Sequence, residues 1–178
     1  MLERRCGHVT DFSSSVTGTK LVAAGGYGGG SDYWSSAEYC QMDSDESLLR
    51  GFRPLPPMTC KRTGASGGFG PGGAFYVFGG SPDGATPHAT VEWLDLRCPA
   101  WETMPMPRSC AYGSGTFTRG GYFFLCGGYS MPPNGQPMAM SNAISCFDAR
   151  TRRWVEDAGG NNTLSSKIVD SCAVIFCV

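Results

Sequence analysis

Three constellations in the chain have residue types that could do chemistry. The stretch "GGYGGGSDYW" (residues 25–34) has the glycine density of a phosphate-cradling loop. A Walker loop needs Lys followed by Ser or Thr after its glycines, and a dinucleotide fingerprint needs a helix to follow. Neither is present, so the stretch reads as a plain loop. Nine cysteines and two histidines invite a metal centre. Structural zinc normally uses close ligand pairs, whereas the nearest cysteine spacings here are Cys172 to Cys177 and Cys98 to Cys110. Cys40, Cys126 and Cys146 fall inside apolar runs and behave as small apolar residues. His8 lies near a strand and His88 in a loop, so no nucleophile–base pair emerges. Arg150, Arg152 and Arg153 are dense enough to touch an anion, yet read as a solvated loop. No catalytic residue, metal or cofactor is expected.

Composition bounds the alternatives. The 178 residues suffice for one domain with its own core. The 26 Gly and 12 Pro indicate many turns, while 10 Phe, 7 Tyr and 4 Trp provide much to bury. A net charge of −1 argues against a broad phosphate-binding surface, so no nucleic-acid partner is expected. The opening "MLERRCGHV" lacks the apolar core of a secretory signal, and no run approaches the roughly 20 apolar residues of a membrane span. The expectation is reduced thiols in the cytoplasm or nucleus, with no membrane partner. The sequon at Asn161-Asn162-Thr163 is then a chance match.

The elements that would position any site come from a repeat. "LVAAGG" (21–26), "FYVFGG" (75–80) and "FFLCGG" (123–128) each run an apolar segment into a glycine pair, with pair-to-pair spacings of 54 and 48 residues. Such a period is the signature of a repeat architecture. After each pair come a polar loop and a second apolar run: "AEYCQ" (37–41), "VEWLD" (91–95) and "ISCFD" (144–148). An aromatic follows: Phe52, Trp101 and Trp154. The two tryptophans stand six residues after Asp95 and Asp148, whereas Gln41 to Phe52 spans 11, which predicts a longer third turn in the first unit. Prolines and a basic residue come next, then small-residue segments "TGASGGF" (63–69) and "CAYGSGTF" (110–117). Short alternating strands, Gly/Pro turns and no helical period predict an all-β fold.

Each repeated residue has a reason as part of a frame. Small residues let neighbouring backbones approach at an innermost strand. The glycine pair reaches positive φ where the chain must turn sharply. The aspartate before the third turn suits an Asx turn. The tryptophans are expected as buried wedges between sheets, because one four-stranded sheet cannot cover both its faces.

Double glycine, an aromatic-plus-Asp pair, Trp six residues on, then "MPMPR" together resemble the kelch repeat, most clearly in "FYVFGG…VEWLDLRCPAWETMPMPR". The resemblance covers residues 5–157. It departs in the first unit, which lacks the Trp and Asp, and in the third, which leaves the motif after Trp154. It implies a partial β-propeller of four-stranded antiparallel blades, at about residues 5–61, 62–107 and 108–162. The segment 171–178 is expected as the first strand of a further blade. Three units are fewer than the roughly 4–8 blades that close a ring, so the expectation is a fragment of a longer propeller, or self-association through open ends.

The resemblance implies a protein-interaction module, a kelch-type scaffold or adaptor that binds a protein or peptide at loops on one face. The loops after the glycine pairs, 27–36, 81–90 and 129–142, carry Tyr27, Tyr33, Trp34, Tyr129, Met131, Met138 and Met140 as candidate contacts. Arg5, Arg62 and Arg108, each before an innermost strand, are implied to face acidic groups of a partner. The alternative is a catalytic propeller of the oxidase or mutarotase type, acting on a sugar or small molecule. It would need several ionisable side chains to converge in the central channel.

Overall fold

The computed structural model describes residues 1–15, 18–42, 49–132 and 136–155. Its regular structure is all strand apart from one short 3-10 turn at Pro71–Gly73. No described helix is long and apolar enough to cross a membrane. The first sheet comprises β1 (Val9–Ser15), β2 (Gly18–Ala24), β5 (Ala37–Met42) and β6 (Leu49–Leu55), hydrogen-bonded in that order. A small ribbon, β3 (Tyr27–Gly29) with β4 (Asp32–Tyr33), projects between β2 and β5. The second sheet is β7 (Thr63–Phe69), β8 (Ala74–Ser81), β9 (Thr90–Asp95) and β10 (Glu102–Pro105). The third is β11 (Ser114–Phe117), β12 (Tyr122–Cys126), β15 (Ile144–Asp148) and β16 (Arg153–Trp154), with the ribbon β13 (Tyr129–Ser130) and β14 (Ala139–Met140) between β12 and β15. Every strand pairing among the described residues is antiparallel.

The glycine pairs lie where β2, β8 and β12 end. All six glycines have positive φ, from 64 to 104°. At Gly25 and Gly79 a Cβ would overlap a carbonyl oxygen of the following unit, that of Arg62 or Cys110. The second glycine then donates across the same junction: Gly26 N–H to the Arg62 carbonyl at 2.7 Å, and Gly80 N–H to the Cys110 carbonyl at 2.8 Å. Glycine is needed there because both turning and close approach exclude a side chain.

Alternation along the strands sends one face of each sheet forward and the other back. Phe69, Phe75 and Leu94 are cross-strand neighbours on the second sheet, and they meet the first sheet's Val22, Ala24 and Ala37. The third sheet repeats this with Phe117, Phe123 and Phe147, which meet Tyr76, Phe78, Val91 and Trp93 of the second. The Phe78 and Phe123 rings stack at 4.0 Å. Aromatic pairs of this sort add stabilisation beyond area burial.

Trp101 is buried between the first two sheets, as expected of a wedge. Trp154 occupies the equivalent place beside the second sheet but is only half-buried. Asp95 and Asp148 each close their turn by accepting from the backbone N–H two residues on, and each forms an ion pair with that residue's guanidinium, Arg97 or Arg150. These bonds hold both carboxyls at about 2, below the ordinary value. The long turn predicted between Gln41 and Phe52 falls mostly at 43–48, and the segment predicted as a further strand at 171–178; both lie outside the described residues.

Candidate binding site

The segments that lead into the first strands of consecutive sheets are linked at one end. Gly64 N–H donates to the Gly7 carbonyl at 2.8 Å, and Tyr112 N–H to the Gly64 carbonyl at 2.6 Å. The loops following the glycine pairs rise around this line. In the first unit, Tyr27 and Tyr33 face one another across the β3–β4 ribbon with ring centroids 5.0 Å apart. Tyr27 also exchanges both backbone hydrogen bonds with Cys6, which ties the ribbon to the segment before β1. In the third unit, Tyr129 exchanges the same two bonds with Ala111, and its ring meets Tyr112 edge-on at 6.3 Å.

The second unit has a tight loop in place of a ribbon. The Asp83 carboxylate accepts from the N–H groups of Ala85 and Thr86 and from the hydroxyls of Ser81 and Thr86. These donors, the two backbone N–H groups first, hold its pKa far below the ordinary carboxylate value. Gly84 at the loop tip lies under two tyrosines: a Cβ there would be 3.0 Å from the Tyr33 hydroxyl and 3.5 Å from that of Tyr112. The result is a cleft of about 620 Å³ lined by Cys6, Tyr27, Tyr33, Thr63, Asp83 and Tyr112, with Gly7, Gly64 and Gly84 baring backbone between them. Such a surface offers flat aromatic faces, phenolic hydroxyls and open peptide groups.

The structure brings Tyr27 and Tyr33 together in this cleft and leaves the other candidates elsewhere. Trp34 is half-buried over Gly28, and its backbone joins the first unit to the second by accepting from Arg62 N–H at 3.0 Å. Its indole N–H is buried without a hydrogen-bond partner among the described residues. Met131 is exposed, and its amide donates to Ser109 Oγ. Met140 is exposed on β14 and Met138 half-buried before it. Neither Met131 nor Tyr129 lines the cleft.

The arginines point into the fold, not toward the loops. Arg62 is fully buried: Nε pairs with Glu92 at 2.9 Å, and the terminal nitrogens donate to the Gly79 carbonyl and to the Thr90 carbonyl and hydroxyl. Arg5 repeats the pattern on the Gly25 and Ser36 carbonyls and Glu38. In each case the acid also accepts a backbone N–H from three residues before the arginine, Leu2 to Glu38 and Thr59 to Glu92. In the third unit the backbone position is taken by Cys110, whose N–H bonds the His88 carbonyl as that of Arg62 bonds Trp34. Arg108, two residues earlier, reaches into the same space and donates to the Gly127 and Ala143 carbonyls and to Ser145 Oγ. The implied role of Arg62 and Arg108 toward acidic groups of a partner therefore gives way to one of locking the second and third strands of each unit together.

Tyr112 and Asp83, like Cys6 and Thr63, are cleft residues that the sequence did not single out. Tyr112 sits at φ 57°, an uncommon conformation for a bulky residue. Its signal was a tyrosine in the otherwise small-residue segment "CAYGSG". The signal of Asp83 was "SPDGAT", a turn-forming Ser-x-Asp. Among the described residues, no group of three His, Cys, Asp or Glu side chains is placed to hold a metal. Arg150 is engaged by Asp148 and Tyr122, and Arg152 lies over the Trp93 ring at 4.7 Å. Set against known proteins, the chain matches no family model and no curated relative.

Proposed function

We propose that this chain is part of a kelch-type β-propeller and acts as a protein-interaction module of the cytoplasm or nucleus, taking a protein or peptide segment in the tyrosine-lined cleft. Three four-stranded sheets with the same strand order, and segments leading into their first strands that are hydrogen-bonded in succession near one end, are what consecutive blades around an axis require. The observation that carries the functional reading is the convergence of Tyr33 from the first unit and Tyr112 from the third over Gly84 of the second. Aromatic residues held rigidly by backbone bridges present contact area at little entropic cost, which is the character of interface hot spots.

The test is selection of displayed random peptides on the full chain, followed by affinity measurement on Tyr33→Ala and Tyr112→Ala variants. Peptides selected on the cleft should lose about tenfold in affinity or more for either variant, roughly 1.4 kcal/mol. Binders that ignore both substitutions would place recognition elsewhere and defeat the proposal.

A further inference from the structure

The tyrosine cleft holds a charge without a counter-charge. Among the described residues that line it, Asp83 is acidic and none is Lys, Arg or His. The Asp83 carboxylate is exposed, and its donors are all neutral: Ser81 Oγ, Ala85 N–H and Thr86 N–H on Oδ1, and Thr86 Oγ1 on Oδ2. Neutral donors favour the ionised form but leave its charge uncancelled. Oδ2, with one donor, has room for another.

Elsewhere the chain supplies the cation itself. Asp95 and Asp148 close turns in a similar manner, and each pairs with an arginine two residues on. Glu38 and Glu92 pair with Arg5 and Arg62. Among the described residues no Lys or Arg pairs with Asp83. Arg5 and Arg62 directly precede the cleft residues Cys6 and Thr63 in the chain, yet both turn into the sheets toward their glutamates. His88 lies in the field of Asp83, but burial and Arg62 lower its pKa, so at neutral pH it adds no charge.

The walls are electron-rich. The Tyr27 and Tyr33 rings stand 5.0 Å apart, and the hydroxyls of Tyr33 and Tyr112 converge over Gly84. An aromatic face attracts a cation within about 6 Å of its centroid. The chain uses this contact on itself: the guanidiniums of Arg150 and Arg152 lie 4.7 Å over the Tyr122 and Trp93 rings. A ligand that covers Asp83 also takes an ion out of water, a cost that an opposite charge offsets and an apolar or acidic group does not.

We propose that the cleft takes a cationic side chain, the ammonium of a lysine or the guanidinium of an arginine in a basic peptide segment, against its tyrosine rings with the charge toward Asp83. The assignment rests on the reading of the cleft as a peptide site.

The test titrates three fluorescein-labelled peptide pools with the full chain, read by anisotropy. The pools share one length and one Gly/Ala/Ser/Leu background, and their variable positions carry Lys and Arg, Asp and Glu, or Ser alone. The basic pool should bind at least tenfold more tightly than the other two. Asp83→Asn keeps an acceptor for the Ala85 and Thr86 N–H groups while removing the charge, and should lower the basic pool's affinity about tenfold. Tyr33→Leu keeps apolar bulk without the aromatic face and should weaken the same pool several-fold. It is the second arm if circular dichroism shows that Asp83→Asn has not folded. An acidic or neutral pool that binds as tightly as the basic one, and is weakened by Tyr33→Ala, overturns the cationic ligand but leaves the cleft a peptide site. Basic peptides indifferent to Asp83→Asn and Tyr33→Leu bind elsewhere and overturn the assignment. So does a basic pool that fails to bind. In either case, displayed peptides that depend on Tyr33 and Tyr112 would still uphold the cleft itself.

Discussion

The indole N–H of Trp101 donates to the carbonyl oxygen of Pro56 at 2.7 Å, across the junction between the first and second sheets. Trp154 does the same to Pro105 at 2.9 Å, one junction later. The proline-rich run that ends one unit is therefore held by the tryptophan of the next. Proline suits this role because it fixes its own φ and has no backbone N–H to satisfy.

Truncating the two tryptophans should have unequal effects. Trp101→Ala is expected to cost roughly 3–5 kcal/mol, the range for a core aromatic. Trp154→Ala should cost clearly less, because that ring is only half-buried. Trp101→Phe keeps most of the packing but strands the Pro56 carbonyl, at about 1–3 kcal/mol. Urea titrations of the three variants decide the order; equal midpoints for Trp101→Ala and Trp154→Ala would contradict it.

The Arg62–Glu92 pair is the most enclosed ionic contact described, with both side chains at 0% exposure. Arg62→Met leaves a buried carboxylate with its Thr59 N–H as remaining partner, and should cost roughly 3–5 kcal/mol. Adding Glu92→Met should recover part of that loss, since an apolar pair of similar volume no longer buries a lone charge. A double variant weaker by the full sum of the singles would show that the two residues act independently.

Gly79→Ala forces a left-handed alanine against the Cys110 carbonyl and should cost at least about 2 kcal/mol, the upper end of the conformational term alone. Gly51→Ala is the control. Gly51 has open space where its Cβ would go, and alanine there should be neutral or slightly stabilising through the unfolded chain. Thermal melts of the pair are sufficient, and similar melting temperatures would refute the crowding argument.

Acid should weaken the fold through its two histidines. Burial lowers the pKa of both His8 and His88 below the ordinary 6.5, with the adjacent Arg5 or Arg62 guanidinium adding to it. Glu38 opposes the shift at His8; the Lys61 carbonyl, Glu92 and Asp83 oppose it at His88. A depressed histidine favours the neutral ring in the folded state. Its contribution is thus intact above the unfolded value and is lost as pH falls below 6.5 toward the folded one. Stability measured across the acid side of neutrality should therefore fall less steeply in a His8→Gln/His88→Gln variant. Ring resonances that titrate above 6.5 would reverse the sign and refute this.

The strand pattern was legible because it depends on short-range rules. Apolar runs ending in glycine pairs, and aspartates closing turns, act within a few residues, and each fell on a strand end or a turn. The arginines were misjudged for the opposite reason. What Arg62 does is decided by Glu92, 30 residues away, and by which side of β9 that carboxylate leaves. Arg108 was harder still, since it enters the same space from a backbone position two residues out of step. Tyr27 and Tyr33 stood out as aromatics in a glycine-rich loop, whereas Tyr112 takes its place in the cleft from a left-handed conformation that no spacing announces.

The cysteine that stands where the other units place an arginine turns the junction between the second and third sheets into something that can be timed. Cys110 is 2% exposed, its thiol lies against the Gly127 carbonyl, and burial pushes its pKa up. An alkylating reagent can reach it only during an excursion that parts those two sheets, while Cys6 and Cys98 are exposed and react at once. The lag before Cys110 is modified would thus report the lifetime of one junction inside the intact chain, without unfolding the rest.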